Sequence, residues 1–273
     1  AKKLNQDNNL KNENTIFLTS YEKKFSFVEN ILKKNNFKLQ YINLKKAPPN
    51  SNEEFEIIKK INPQIIIFDR IKTNKSFISK FQKYKFKTVL LDDIGSAISH
   101  ANLVICPIFF DRPLNKKIYK GFKYMIFSEI KRKKKNLKKN IFTITVSFGG
   151  YDKRKLFFFL MKNFHKIDSK YRFNLIFGFE KEKVNSQIIK YISKFENINT
   201  FFRPKNYSDI LFKTDLAIIS GGLTLIEFLS IGVPTIALPQ YKHQYATIKI
   251  LENLGCTIMG SKQYKLNWVF FFK

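Results

Sequence analysis

Short runs of Ile, Val, Leu and Phe alternate along this chain with longer stretches in which apolar positions fall three or four residues apart. That is the pattern of strands alternating with helices. In the first half, residues 15–20, 38–44, 64–68, 88–91 and 103–106 read as strands. Phe25, Val28, Ile31 and Leu32 place a helix between the first two, and residues 55–61 and 75–84 supply two more. Ala47-Pro-Pro-Asn-Ser51 breaks the chain before the second helix, and Asn62-Pro63 leads into the third strand. A second alternating set has strands at residues 141–146, 173–177, 198–202, 216–219 and 235–238. The expected fold class is α/β, with two Rossmann-like, doubly wound parallel-sheet domains. Their boundaries are set at residues 1–130 and 141–273, joined by the basic, aperiodic linker 131–140. Two such halves facing each other form a cleft, and ligands of open α/β sheets bind at the carboxyl ends of the strands.

Residues 215–239 are the stretch around which the rest is organised. The apolar run 216–219 has the length and β-branching of a buried strand, Gly221-Gly222 permits a tight turn, and a helix begins near Thr224. Gly232 takes the left-handed position at the helix end, and Pro234 keeps the helix from continuing. A helix N-terminus at the carboxyl end of a strand presents free N–H groups, a cradle for an anion such as phosphate. Thr224-x-x-Glu227 leaves two readings open: a capping box that satisfies the helix's own first N–H groups, or a Glu that contacts a ligand.

At 273 residues the chain is long enough for two domains with separate cores. Its formal charge of +29, from 50 Lys+Arg against 21 Asp+Glu, would ordinarily point to nucleic acid or an anionic membrane. The surplus is nearly all Lys, spread along the whole chain among Asn, Ile and Phe, residues that share A/T-rich codons. No nucleic-acid motif accompanies it, so no nucleic-acid partner is expected. An anionic membrane surface is the sharper alternative, with residues 131–140 as the lipid-facing patch. No run approaches the roughly 18 apolar residues of a membrane span, and no signal peptide is seen. The expected location is cytoplasmic, peripheral to the inner membrane face in that alternative. Cys106 and Cys256 lie in different halves, fit neither a disulfide framework nor a metal site, and are expected to be small buried residues. No metal-ligand spacing occurs, and neither a metal nor a cofactor is expected.

Ser220-Gly-Gly-Leu-Thr-Leu-Ile-Glu227, Gly232-Val-Pro234 and Pro239-x-x-x-His243-Gln244 together resemble the C-terminal half of GT-B nucleotide-sugar enzymes. Two groups are most similar: the family 28 glycosyltransferases and the UDP-sugar hydrolases of the pseudaminic acid pathway. The resemblance covers most of residues 141–260 and, more loosely, 15–130. It implies a GT-B fold with a UDP-sugar as partner. By resemblance, Ser220, Gly221, Gly222, Leu223 and Thr224 hold the diphosphate, and Glu227 binds the ribose hydroxyls. His243 and Gln244 fall near the sugar, and Tyr207 to Asp209 fall where relatives contact the base.

Ser147-Phe-Gly-Gly150 with Asp152, Leu91-Asp-Asp-Ile-Gly95 and Gly121-x-x-Tyr124 resemble the hydrolase group in particular. The implied reaction is hydrolysis of the anomeric C–O bond of a UDP-linked amino sugar in surface-polysaccharide or nonulosonic acid biosynthesis. The runner-up is transfer of the sugar to an acceptor, and a third reading is a non-catalytic nucleotide-sugar-binding remnant. Gly149, Gly150, Asp152, Asp69, Asp92 and Asp93 are cleft candidates, each with a plainer reading as a tight turn, a helix cap or a surface carboxylate. The chain departs from the family in two places. Nothing matches its Gly-x-Gly-His loop, and Arg70-Ile71-Lys72 stand where the hydrolases carry a tyrosine. The catalytic residue is therefore unassigned. Residues 1–4 read as the end of the family's first helix, with its first strand and His loop expected upstream, while residues 262–273 replace the usual closing helices.

Overall fold

The computed structural model describes residues 11, 14–20, 26–108, 118–125, 142–149, 152, 155–161, 169–178, 186–202, 204 and 206–260. The expected linker at 131–140, Gly150, and the readings of residues 1–4 and 262–273 lie outside them. The chain divides into two compact units: residues 1–105 with 115–119, and residues 106–114 with 120–273.

In the first unit β1 (Ile16–Ser20) and β2 (Lys38–Ile42) pair in parallel, linked by α1 (Ser26–Lys34). A separate sheet has the order β3 (Ile65–Asp69), β4 (Lys87–Leu91), β5 (Leu103–Cys106), β6 (Ile118–Lys120). α2 (Asn52–Ile61) starts at Ser51, whose Oγ accepts from Glu54 N, and stops at Asn62 in the left-handed conformation. α3 (Lys75–Phe81) then packs Phe77 and Phe81 against Phe68 of β3 and Phe55 of α2, with ring centroids 4.9–5.9 Å apart. β3 alternates, burying Ile66 and Phe68 and exposing Ile65 and Ile67.

The second unit runs β7 (Phe142–Ser147), α4 (Leu156–Met161), β8 (Tyr171–Phe177), α5 (Ser186–Ile192), β9 (Ile198–Phe202) and α6 (Tyr207–Lys213). It continues through β10 (Leu216–Ile219), α7 (Leu223–Ser230), β11 (Thr235–Ala237), α8 (Lys242–Asn253) and β12 (Ile258–Met259). Its six strands are all parallel, in the order β12-β11-β10-β7-β8-β9. Counted from β7, this is the doubly wound order in which the chain reverses direction across the sheet between its first and fourth strands.

The central strands are buried on both faces, which explains their continuous apolar runs. Ile144, Val146, Phe173, Leu175 and Ile218 join one apolar layer, and Ala217, Ile219, Leu225, Phe228 and Ile248 join the other. α7 ends as its glycine predicts: Gly232 has φ 75°, its N–H donates to Leu229 O, and Val233 N donates to Phe228 O. The sequence pattern did not reveal β6 and β12, which are three and two residues long.

Candidate functional site

The reversal of strand order places two turns side by side. β7 and β10 pair with Ser147 opposite Ile219, and Ser220 N donates to Ser147 O at 3.2 Å. Gly149, in the turn after β7, has φ 75°, and a Cβ added there would sit 3.8 Å from Ser220 Oγ. A third turn, after β11, is tied in by Gln240. Its Nε2 donates to Phe148 O at 2.5 Å, and its backbone N–H donates to Gln244 Oε1 at 2.9 Å. The sequence reading passed over Gln240; its signal was a lone amide directly after the proline that closes β11. One edge of the unit therefore gathers Gly149, Ser220, Gly221, Gly222, Leu223, Thr224 and Gln244.

The start of α7 decides between the two readings of Thr224-x-x-Glu227. Gly222 is the N-cap, with no side chain capping it, and Thr224 is the second helical residue. A capping box would need Thr224 itself at the N-cap, so none forms. The earliest returning bond is Leu225 N to Gly222 O at 3.1 Å. Among the described residues the N–H groups of Gly221, Gly222, Leu223 and Thr224 have no acceptor. Four unfilled donors at a helix N-terminus form a site of positive potential.

Of the two glycines there, Gly221 owes its place to close approach. Neither Gly221 nor Gly222 has a positive φ. A Cβ on Gly221 would fall 2.7 Å from Ile248 Cδ1 and 3.0 Å from Gln244 Cβ, so glycine lets α8 pack against the turn. On Gly222 the nearest atom would be Gln244 Nε2 at 3.9 Å, which leaves its backbone open. That Nε2 donates to no described residue, because only the Oε1 of Gln244 is engaged.

Glu227 lies three residues after Thr224 on the same helix face. Its carboxylate accepts no hydrogen bond among the described residues, and burial pushes its pKa above the usual carboxylate range. Tyr207 opens α6. Burial and the charge of Glu227 push its phenol upward, while the Thr224 hydroxyl, close but outside bonding geometry, offsets part of that. His243 is half-buried with its ring stacked on that of Tyr241, centroids 5.5 Å apart, and burial lowers its pKa.

The other candidates have surroundings of their own. Asp152 accepts from Leu156 N and Phe157 N, each at 2.9 Å, and so caps α4. Asp69 is exposed at the end of β3 in the first unit. Asp92 has φ 48° and donates its N–H to Ile105 O. Asp93 is fully buried and accepts from Thr73 N at 3.2 Å, from Gly95 N at 2.6 Å and from the Thr73 hydroxyl. Cys106 is buried as expected; Cys256 is exposed, because it follows the α8 terminus in the turn at Gly255. Among the described residues no cluster of His, Cys, Asp or Glu could hold a metal ion, and no helix is long and apolar enough to cross a membrane. Two pockets, of 470 and 330 Å³, are lined by α3 and β4 in the first unit and by α6 and the amino ends of β7 and β8 in the second, the latter at the opposite edge of its sheet from the gathered turns. The candidate site is therefore defined by its donors and acceptors rather than by enclosure.

This arrangement of strands, switch point and helix N-terminus is that of a GT-B protein. The chain superposes on MurG of Acinetobacter baumannii with a TM-score of 0.65, covering 99% of this chain and 84% of MurG at 14% identity. It also superposes on Alr3699/HepE of Anabaena, a structure in complex with UDP and glucose, with a TM-score of 0.53, covering 89% of this chain and 91% of HepE at 10% identity. The chain has the GT-B fold. In sequence it is similar to the spore coat polysaccharide biosynthesis protein SpsG of Bacillus subtilis, 25% identical over 213 residues that cover 74% of this chain and 63% of SpsG. It is similar too to an uncharacterised protein of Methanocaldococcus jannaschii, 26% identical over 212 residues that cover 71% of this chain and 44% of that protein. It thus spans less than two thirds of the length of either curated relative. No protein-family model matches the chain.

Proposed function

We propose that this chain binds a UDP-sugar at the start of α7 and belongs to an enzyme that hydrolyses a UDP-linked amino sugar in surface-polysaccharide or nonulosonic acid biosynthesis. One observation carries the reading: at the switch point four N–H groups find no acceptor among the described residues, and Glu227 of the same helix accepts no hydrogen bond from them. The diphosphate takes the N–H groups of residues 221–224, and the ribose hydroxyls donate to Glu227. Gln244 Nε2 and His243 face the sugar. Water attacks C1 and its hydroxyl stays on the sugar while its other proton passes to solvent, the C1–O bond breaks, and the diphosphate leaves with its negative charge held by the helix N-terminus. Similarity to a polysaccharide biosynthesis protein supports the pathway class. Sharing a fold with a protein crystallised with UDP and glucose supports the ligand class. Transfer differs only in the nucleophile, an acceptor hydroxyl in place of water.

Calorimetric titration with UDP, UMP and CMP tests the site. UDP should bind tightest, and Glu227→Gln should cost about 1–3 kcal/mol, the loss of one buried polar contact. A folded chain that binds none of the three would sink the reading. Incubation with UDP-N-acetylhexosamines then tests the reaction: UDP and free sugar appearing without an acceptor mean hydrolysis, acceptor-dependent UDP release means transfer, and binding without turnover means a remnant.

A further inference from the structure

The hydroxyl of Tyr207 is the one buried polar side-chain atom among the described residues without a hydrogen-bond partner. Its ring packs on the apolar layer that includes Leu211, Ala217 and Leu225. A phenylalanine would do that equally well and leave no desolvated hydroxyl. The hydroxyl therefore needs a reason that its described surroundings do not supply. Tyr207 is the first residue of α6, the helix that leads into β10, and the turn after β10 is the proposed diphosphate site. Two polar groups stand near its hydroxyl: Glu227, felt as charge, and the Thr224 hydroxyl. A protonated phenol seeks an acceptor, and the lone pairs of Thr224 Oγ1 can serve as one.

We propose that Tyr207 is a positioning residue: in the filled site its O–H donates to Thr224 Oγ1, which turns the Thr224 proton outward to a diphosphate oxygen. A threonine hydroxyl has one proton and two lone pairs, so a donor held against a lone pair fixes the rotor and leaves the proton for the ligand. Without that donor the Thr224 proton is free to turn toward Glu227, three residues on. The inference rests on the diphosphate reading of the α7 turn.

The test is Tyr207→Phe in the full chain, alone and combined with Thr224→Val. Without ligand, the melting temperature of Tyr207→Phe should be unchanged or raised, because the lost hydroxyl had no partner. With ligand, UDP should bind about tenfold more weakly, while uridine, which lacks the diphosphate, should shift by less than about twofold. Thr224→Val should lose a similar factor, and the double variant no more than Thr224→Val alone. Four results overturn the proposal: undiminished UDP affinity, equal losses for UDP and uridine, additive losses in the double variant, or a lowered melting temperature. If Glu227→Gln weakens UDP but Tyr207→Phe does not, only this inference falls. If the wild-type chain binds no UDP, the diphosphate reading falls and takes this one with it.

Discussion

Asp93 and Glu227 are both acidic residues that follow the end of a parallel strand, and the chain treats them in opposite ways. Asp93 is buried and collects three donors from its own surroundings: Thr73 N, the Thr73 hydroxyl and Gly95 N. The fit is tight enough that a Cβ on Gly95 would lie 2.2 Å from Thr73 O. Nearby, Glu54 is held by Arg70 at 2.8 Å. Glu227 accepts from nothing described, beside N–H groups that donate to nothing described. A carboxylate whose hydrogen bonds are closed by the fold contributes stability; one left open costs stability, and that cost is the ground for proposing a ligand at Glu227.

The largest effect expected from this contrast is on the closed side. Asp93→Ala strands the buried N–H and hydroxyl of Thr73 and the half-buried N–H of Gly95, and should cost roughly 3 kcal/mol or more. Urea unfolding measures it. UDP affinity of the folded fraction should be unchanged. A cost below about 1 kcal/mol would mean that the network contributes little, and lost UDP affinity would mean that Asp93 serves the site after all.

The glycines of the α7 turn make the next comparison. Gly221→Ala drives a methyl into Ile248 and should cost about 1–3 kcal/mol, part of it recovered by adding Ile248→Ala. Gly222→Ala meets nothing closer than 3.9 Å, so it should leave the melting temperature nearly unchanged while weakening UDP, because its methyl stands beside the open N–H donors. If Gly222→Ala destabilises as much as Gly221→Ala, then the turn is shaped by packing throughout and the ligand argument loses one of its supports.

Much of this was legible in the sequence, and the failures have physical causes. β10 falls on residues 216–219 as the apolar run predicts, because a strand buried on both faces leaves an unmixed signal. Gly232 was readable because its left-handed φ is a local requirement. The helix start near Thr224 was readable too, within one residue of Leu223, but the choice between capping box and open carboxylate was not: the N-cap is Gly222, and its neighbour Gly221 is held by α8 packing from more than twenty residues away. The use of Asp93 depends on Thr73, twenty residues earlier, and no local pattern contains it. Tyr207 could be placed near the site from sequence, yet its orphaned hydroxyl exists only in three dimensions.

The smallest expected effect tests the open side of the comparison through pH. Burial raises the folded pKa of Glu227 above the value of 4.5 that its unfolded carboxyl takes. Below about pH 4.5 the residue is protonated in both states and adds nothing to the difference between wild type and Glu227→Gln. Between the two pKa values the native state binds a proton that the unfolded state lacks, so stability falls as pH rises through this window. Above the folded pKa the full penalty of a desolvated carboxylate is present. Glu227→Gln, neutral at every pH, should therefore melt higher than wild type at pH 7 and together with it near pH 4. Glu227 is only partly buried and water screens much of the penalty, so the gap should be modest, about 1–3 °C. Difference melting curves across pH 4–8 measure it, with the other carboxylates cancelling between the two proteins. If wild type melts higher at pH 7, then Glu227 has a partner within the fold, and its contrast with Asp93 disappears.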